Sequence, residues 1–417
     1  MSDRVDIAVI GAGAAGLAAG IFAAEAAAGR PPLRVVLLDS ATTIGAKILV
    51  SGGGRCNVTH ETASPRDFTP STPAVRNILA AFPAEAAREW FASIGVALKR
   101  EETGKLFPVT DKARTVLHAL TNRCRELNVM ILPGHRVSDV IAKDGFIVRH
   151  EHGELHAGHV IMATGGRSLP RTGSDGHGWE IVRRLGHRVT DCHPALVPLM
   201  LDKTMFHAEL SGLSQETELT TYVDGKPVDR RTGSLLWTHF GVSGPVAMDA
   251  SRFWTIAHAQ GSTVEVRGNF QPGVGFDEAD RRLIAQMEAR SQLSVGKTLA
   301  QQIPERLAMA LCGYCGIDPA TQAGRLAREP RRKLVHALTG LLLPVLRDRG
   351  WNHAEVTAGG VPLDEINFRT MESRKVPGLH LVGEMLDCDV RIGGFNFQWA
   401  WATGYLGGRG AAAGLSL

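Results

Sequence analysis

Three regimes of hydrophobic patterning follow one another along this chain. Residues 4–10 (RVDIAVI) and 33–39 (LRVVLLD) are short, nearly unbroken apolar runs, the pattern of strands buried on both faces. Between them GAGAAG at 11–16 predicts a turn, and the alanine-rich residues 14–28 predict a helix. Strand, helix and strand within residues 4–39 make the βαβ unit that a parallel sheet requires. Further helices are predicted at 75–100, where FPAEAAREWFASIG spaces its apolar positions by three and four, and at 113–128 (ARTVLHALTNRCRELN). Residues 129–162 read as strands. From about 190 the regime changes. Residues 195–270 alternate apolar and polar positions between turns such as Asp224-Gly225, which predicts antiparallel strands. Residues 277–341 turn helical and basic. Residues 354–382 return to short strands, LHLVGE at 379–384 again reads as a buried parallel strand, and 394–413 reads as a last helix. The two ends of the chain are therefore expected to share one sheet, with a mixed β and α insertion between them.

Length and composition narrow this picture. At about 100–200 residues per domain, 417 residues suggest two or three domains. Apolar residues at 44% and charged residues at 21% permit a large core and argue against disorder. Glycine takes 47 positions, about 11% where about 7% is usual. Its islands at 11–20, 45–54, 165–178, 359–360, 393–394 and 404–410 fall between apolar runs, where backbone is pressed against a neighbour or a ligand. A fibre, a repeat array and a disulfide scaffold are excluded. The net charge of +4 is mild and excludes neither a small anion nor a nucleic acid as partner. One segment departs from that balance. Residues 324–349 hold Arg325, Arg328, Arg331, Arg332, Lys333, Arg347 and Arg349 against Glu329 and Asp348 only, which fits a solvated helix face or a surface for a polyanion. The six cysteines are scattered and the N-terminus runs into a strand without a secretory pattern, so reduced thiols and a cytoplasmic location are expected. The stretch 14–28 contains Glu25, which suits a buried helix and not a membrane span. Cys312 and Cys315 form a CxxC within a helical pattern; no second pair completes a metal site, so packing is expected of them.

The chemistry begins at Gly11-x-Gly13-x-x-Gly16. The first glycine permits a tight turn, the second lets backbone approach a pyrophosphate, and the third lets helix and strand pack closely. The helix N-terminus offers the anion free N–H groups and a partial positive charge. Asp39 ends the second strand, where an acidic residue accepts a ribose hydroxyl. This fingerprint alone does not separate NAD from FAD. HVIMATGG at 159–166 follows a small meander at 136–157, and LHLVGE at 379–384 precedes a glycine turn and a long helix. That order of parts resembles the glutathione-reductase-like FAD domain. No second GxGxxG marks a separate nicotinamide domain.

Four more segments sharpen the resemblance: GAKILVSGGGRCN at 45–57, ATGGRSLPRTGSDGHGWEIVRRLGH at 163–187, THFGVSGP at 238–245, and VTAGGVPLDEINFRTMESRKVPGLHLVGEMLD at 356–387. With GGFNFQWAWATGY at 393–405, they resemble, nearly end to end, the bacterial HI0933-like flavoproteins, the family of the BaiN/YhiN proteins and rRNA dihydrouridine synthases. The resemblance implies an α/β fold: a glutathione-reductase-like FAD-binding Rossmann domain interrupted by a β-barrel-like domain and a small helical domain. The boundaries expected here are 1–189 and 354–417 for the FAD domain, 190–275 plus 342–353 for the β-rich part, and 276–341 for the helical part. Two departures stand out. Asp39 replaces the family's usual glutamate and has one carbon less of reach, and CDVRIGGFN at 388–396 places Cys388 and Arg391 beside the expected flavin.

The cofactor set implied for this chain is Gly11, Gly13, Ala14, Ala15 and Gly16 at the pyrophosphate, Asp39 and Ser40 at the ribose, and Val137 at the adenine through its backbone. Lys47 joins them, with Ser51, Gly52, Gly53, Gly54, Arg55, Cys56 and Asn57 laid along the flavin. Ala163, Thr164, Gly165 and Gly166 lie beneath the cofactor, and Gly383 and Glu384 meet the ribityl-pyrophosphate region. Gly394, Phe395, Asn396 and Phe397 begin the last helix, whose amides would support negative charge on the reduced ring. Trp399 and Trp401 stand about 200° apart around a helix, so at least one is expected in the core. Three residues are catalytic candidates. Arg55 would screen phosphate or stabilise the reduced flavin; Cys56 would donate a proton or simply pack; His239 would bind substrate or move a proton, or play a structural part. No metal is expected. The implied activity is FAD-dependent reduction of an activated C=C bond with NAD(P)H as donor. A uridine of 23S rRNA is one substrate, approached through the basic segment 324–349. A steroid-like enone is the alternative, and an RNA-binding or assembly factor with structural FAD is the rival from another class.

Overall fold

The structure is a computed structural model of the chain that describes residues 4–27 and 31–415. Two compact units are present: residues 1–192 with 356–417, and residues 193–355.

The first unit is built on a parallel sheet. Its strands run in the order Leu379–Leu381, Gly153–Met162, Arg4–Ile10, Val35–Leu38 and Met130–Leu132, all parallel. Ile10 lies between Met162 and Leu38, so the strands from positions 4, 35 and 153 end level with one another. The meander Val137–Ala142, Phe146–His150 and Gly153–Met162 replaces a crossover helix: its last strand is antiparallel to its neighbour at one end and parallel to Arg4–Ile10 at the other. The first helix runs Ala14–Ala26; the expected end at residue 28 lies outside the described residues. Its alanines have a partner in the last helix, Phe395–Gly414. A Cβ on Gly404 would sit 2.8 Å from Ala15 O, and one on Gly408 would sit 2.2 Å from Ala19 O. Small residues on both surfaces thus let the two helices touch backbone to backbone. Both tryptophans of the last helix are buried. The Trp399 indole donates to Gly383 O (3.1 Å) and the Trp401 indole to Val58 O (2.8 Å).

The second unit is an antiparallel sheet of seven strands. Their order is Leu341–Leu343, Val264–Asn269, Ser214–Val223, Lys226–Thr238, Gly241–Ser243, Leu199–Leu201 and Val345–Asp348. The two strands at the ends of that order are consecutive in the chain, with Pro344 alone between them. The sheet therefore has to curl until its edges meet. Asp224 (φ 48°) and Gly225 (φ 77°) make the tight hairpin read from the sequence, with Val223 opposite Lys226. One element departs from the strand reading of 195–270: Pro245–Ala259 is a helix. Proline opens it, and Val246, Ala247, Ala250, Trp254 and Ala257 form its buried stripe. The helices Phe276–Ala289, Glu305–Tyr314 and Arg328–Gly340 place Leu283, Leu307 and Leu334 in the same core as Leu219, Trp237 and Val266 of the sheet. These helices and the sheet share that core. Among the described residues no helix is long and apolar enough to cross a membrane.

Candidate functional site

The ends of the parallel strands open on a cavity within the first unit. The fingerprint turn forms one wall. Gly11 has φ 102°, and its missing Cβ leaves room for Ala163 O, which would otherwise lie 2.5 Å away. A Cβ on Gly16 would lie 1.8 Å from Gly11 O, so this position serves helix packing. Gly13 lines the cavity and has nothing within 4 Å of where a Cβ would be. Asp39 Oδ2 accepts from Ala12 N (2.6 Å) and Oδ1 from Ala41 N (2.8 Å). Burial pushes its carboxyl up, against these two backbone donors. Ser40, Ala14, Ala15 and Val137 complete this end of the wall.

Further along, Lys47 projects from the helix Ala46–Gly54 and Glu384 from the turn after Leu379–Leu381. The two form an ion pair, Lys47 Nζ also donates to Ser168 Oγ (2.5 Å), and Glu384 accepts from Ser168 Oγ (2.7 Å) and Thr357 N (2.9 Å). Segments distant in sequence are thereby tied into one polar cluster in the cavity wall. Ala163, Thr164, Gly165, Gly383, Asn396 and Phe397 line the cavity as expected positions, joined by Trp399, Cys388 and Asp389. Gly166 does not line it; the space a Cβ would need there holds Thr357 Oγ1.

Other expected positions lie outside the cavity lining. The right-handed path of Ala46–Gly54 ends at Ser51 (φ −66°, ψ 149°); Gly52, Gly53 and Gly54 then turn left-handed and are exposed. Arg55 donates to Glu101 Oε1 (2.6 Å) and stacks on Phe107 at 4.0 Å. Cys56 is fully buried, and burial pushes its thiol up to about 12. Asn57 is buried, with its side chain in the space that the absent Cβ of Gly394 leaves. Phe395 packs between His60, 5.0 Å centroid to centroid, and the Arg391 guanidinium at 4.7 Å; Arg391 is held by Asp67 (2.5 Å). His239 belongs to the second unit, exposed on the turn before Gly241–Ser243.

Sequence reasoning missed His135, Arg136, Asp175 and His177, all in the cavity wall. Arg136 and Asp175 form an ion pair at 2.6 Å. The signal was present in part. GSDGHG belongs to the quoted segment 163–187, but nothing local in it says that it returns to meet the start of the meander.

The profile of the HI0933-like protein Rossmann domain matches residues 5–410. The chain belongs to the HI0933-like family. Among its relatives, this HI0933-like chain is 33% identical over 408 residues to the 3-dehydro-bile acid delta(4,6)-reductase of Clostridium scindens, covering 97% of this chain and 98% of that protein. It is 33% identical over 408 residues to the ribosomal RNA dihydrouridine synthase of Escherichia coli K12, covering 97% of each. The Haemophilus influenzae protein of the same name is 31% identical over 412 residues, covering 97% and 98%. The HI0933-like chain is a flavin-dependent oxidoreductase with FAD as its cofactor. Its cavity fits that group. Open space stands over Gly13, and Thr164 Oγ1 and His177 Nε2 in the wall are buried with no hydrogen-bond partner among the described residues. Groups left so are costly unless a ligand or water meets them.

Proposed function

We propose that this enzyme reduces the activated C=C bond of an RNA uridine to dihydrouridine, with NADPH or NADH as electron donor. The observation that carries the reading is the match, over nearly the full length, to two proteins named ribosomal RNA dihydrouridine synthase. When bound and reduced, FAD supplies a hydride from N5 to the electron-poor carbon, and a proton must reach its neighbour. The chain's own residues would do the rest. The Gly13 amide and the first amides of Ala14–Ala26 would hold the pyrophosphate at the N-terminus of that helix. Asp39 turns a carboxylate oxygen to the ribose. The Lys47–Glu384–Ser168 cluster fixes a cation in the wall, and Asn396 presents an amide of the first turn of the last helix, while the Phe397 amide is taken by Asn396 Oδ1 (2.9 Å). Cys56, sealed in the core, then serves packing, while Arg55 shapes the turn through Glu101 and Phe107. His239 keeps an exposed imidazole for substrate.

A second reading, reduction of a small-molecule enone, is favoured by the relative named for a bile acid reductase. Mass analysis of ribosomal RNA from a deletion strain separates the two. Loss of one uridine carrying two extra hydrogens, restored by the gene, supports the RNA reading. Unchanged RNA, together with NAD(P)H-dependent reduction of a steroid enone by purified enzyme, would replace it with the second. A bound flavin that no donor reduces would refute both.

A further inference from the structure

We infer that Phe240 and Arg349, flanked by His239 and Arg347, form a docking platform for an unpaired nucleobase and its phosphates. The inference rests on the RNA reading and names the surface that would hold the strand. All four residues lie in the second unit, and two sequence features that looked unrelated meet there. Strand Leu199–Leu201 pairs on one side with Gly241–Ser243 (Met200 opposite Gly241) and on the other with Val345–Asp348 (Met200 opposite Arg347). The THFG turn and the far end of the basic segment are thus neighbours across one strand.

The local geometry is well held. Thr238 Oγ1 donates to Gly241 O (3.0 Å), closing the turn that carries His239 and Phe240, and Phe240 O accepts from Leu201 N (3.1 Å). Arg349 N donates to Pro198 O (3.1 Å), and the Arg349 guanidinium carbon lies 4.1 Å from the centre of the Phe240 ring. The His239 ring stands edge-on to Phe240 at 5.1 Å. Arg347, His239 and His353 are exposed, and Lys203 is exposed just beyond the end of the central strand. The neighbouring acids serve their own turns: Asp348 accepts from Gly350 N (2.6 Å) and Asp202 from Thr204 N (2.8 Å). Phe240 and Arg349 are themselves half-buried, so the stacked pair offers its accessible part as a cationic surface on which the π-face of a nucleobase can lie. Unstacked bases of single strands can reach such a surface; bases inside an A-form duplex cannot. Elsewhere in the basic segment, Arg331 is bound to Asp280 and Arg332 lies over Phe276, so those cations hold the helix Arg328–Gly340 in place.

The test is fluorescence anisotropy of FAD-loaded enzyme with a labelled single-stranded oligouridine and with a duplex of the same length, across a salt series. The expected result is preference for the single strand. Phe240→Ala and Arg349→Met each weaken it about tenfold, within the range of one lost base stack. Arg349→Lys keeps the salt slope but loses most of the affinity, and Arg347→Ala lowers the slope by about 0.7. Flavin content and melting temperature confirm that each variant is folded. Wild-type binding that Phe240→Ala and both Arg349 variants leave unchanged overturns the platform while the RNA reading stands. Equal affinity for the duplex overturns the stacking. No binding by wild type removes the RNA reading and the platform with it.

Discussion

Glu365 offers a stability test whose sign and size follow from its surroundings. The carboxylate is 5% exposed and accepts from His187 Nδ1 (2.7 Å), Arg188 Nε (2.8 Å), Arg188 N (3.2 Å) and Lys375 Nζ (2.9 Å). His187 Nε2 meets Ser373 Oγ at 2.8 Å, so the network ties the end of helix His177–Arg184 to the hairpin before Leu379–Leu381. Burial alone would raise the Glu365 carboxyl; the hydrogen bonds from Lys375, Arg188 and His187 outweigh it and bring the group from 4.5 to about 2. At about 1.4 kcal/mol per tenfold, the charged form is favoured by roughly 3 kcal/mol. A folded value below the unfolded one means that this contribution is complete above about pH 4.5 and fades as pH falls toward about 2. Glu365→Gln keeps the shape and removes the charge. Its expected cost is about 3 kcal/mol at pH 7, or about 6–12 °C in melting temperature for a unit of this size. The gap from wild type should shrink steadily between pH 4.5 and pH 2.5. His187, lowered chiefly by burial and held up by Glu365, also costs stability as pH falls, and costs more in Glu365→Gln, so the window below pH 4.5 is the one that reports Glu365 itself. Thermal unfolding of the FAD-loaded pair across pH is the assay. Coincident melting at pH 7, or a gap that does not change with pH, would refute the reasoning.

Other positions yield contrasts of their own. Gly13→Ala should leave the apoprotein's melting temperature unchanged, because nothing lies within 4 Å of the new atom, yet weaken FAD binding. Gly16→Ala drives a methyl into Gly11 O and should lower both, by roughly 1–3 kcal/mol in stability; equal behaviour of the two variants in calorimetry and flavin titration would count against the assignment. Breaking the half-exposed Arg136–Asp175 pair by Arg136→Ala should speed FAD release up to about fivefold at low salt and less at high salt. A stopped-flow off-rate insensitive to both changes would exclude a retaining role. Burial pushes the thiols of Cys56 and Cys124 up to about 12, so neither should be alkylated in native protein at pH 8, as mass spectrometry of labelled peptides would show; rapid labelling of Cys56 would reopen its chemistry.

Local pattern carried the cofactor unit a long way. The fingerprint turn, its two strands, the meander and the strand before Gly383 all have short-range signals, because a buried parallel strand and a glycine turn are written in consecutive residues. The helix Pro245–Ala259 was also legible, since Val246, Ala250, Trp254 and Ala257 keep helical spacing behind a proline, but it sits among strands whose alternation dominates a wider window. What local pattern could not supply was return contact. Lys47 meets Glu384, and Arg136 meets Asp175, only because the sheet brings distant loops to the ends of its strands. The same holds for Arg55, whose partners Glu101 and Phe107 draw it away from the cavity wall.

The backbone contact between the first and last helices also sets a schedule for synthesis. The alanine face of the first helix is covered by Gly404 and Gly408, which are translated only after the whole inserted unit. The strand Leu379–Leu381 that completes the parallel sheet is equally late. At about 5–20 residues per second, the nascent fingerprint helix waits on the order of tens of seconds with its apolar face uncovered. During that interval residues 193–355 are free to fold, since their core is made within one continuous stretch of chain. The inserted unit can therefore fold before the unit whose two parts flank it in sequence, and the flavin cavity, whose wall includes Glu384 and Asn396, closes only after those later segments have emerged.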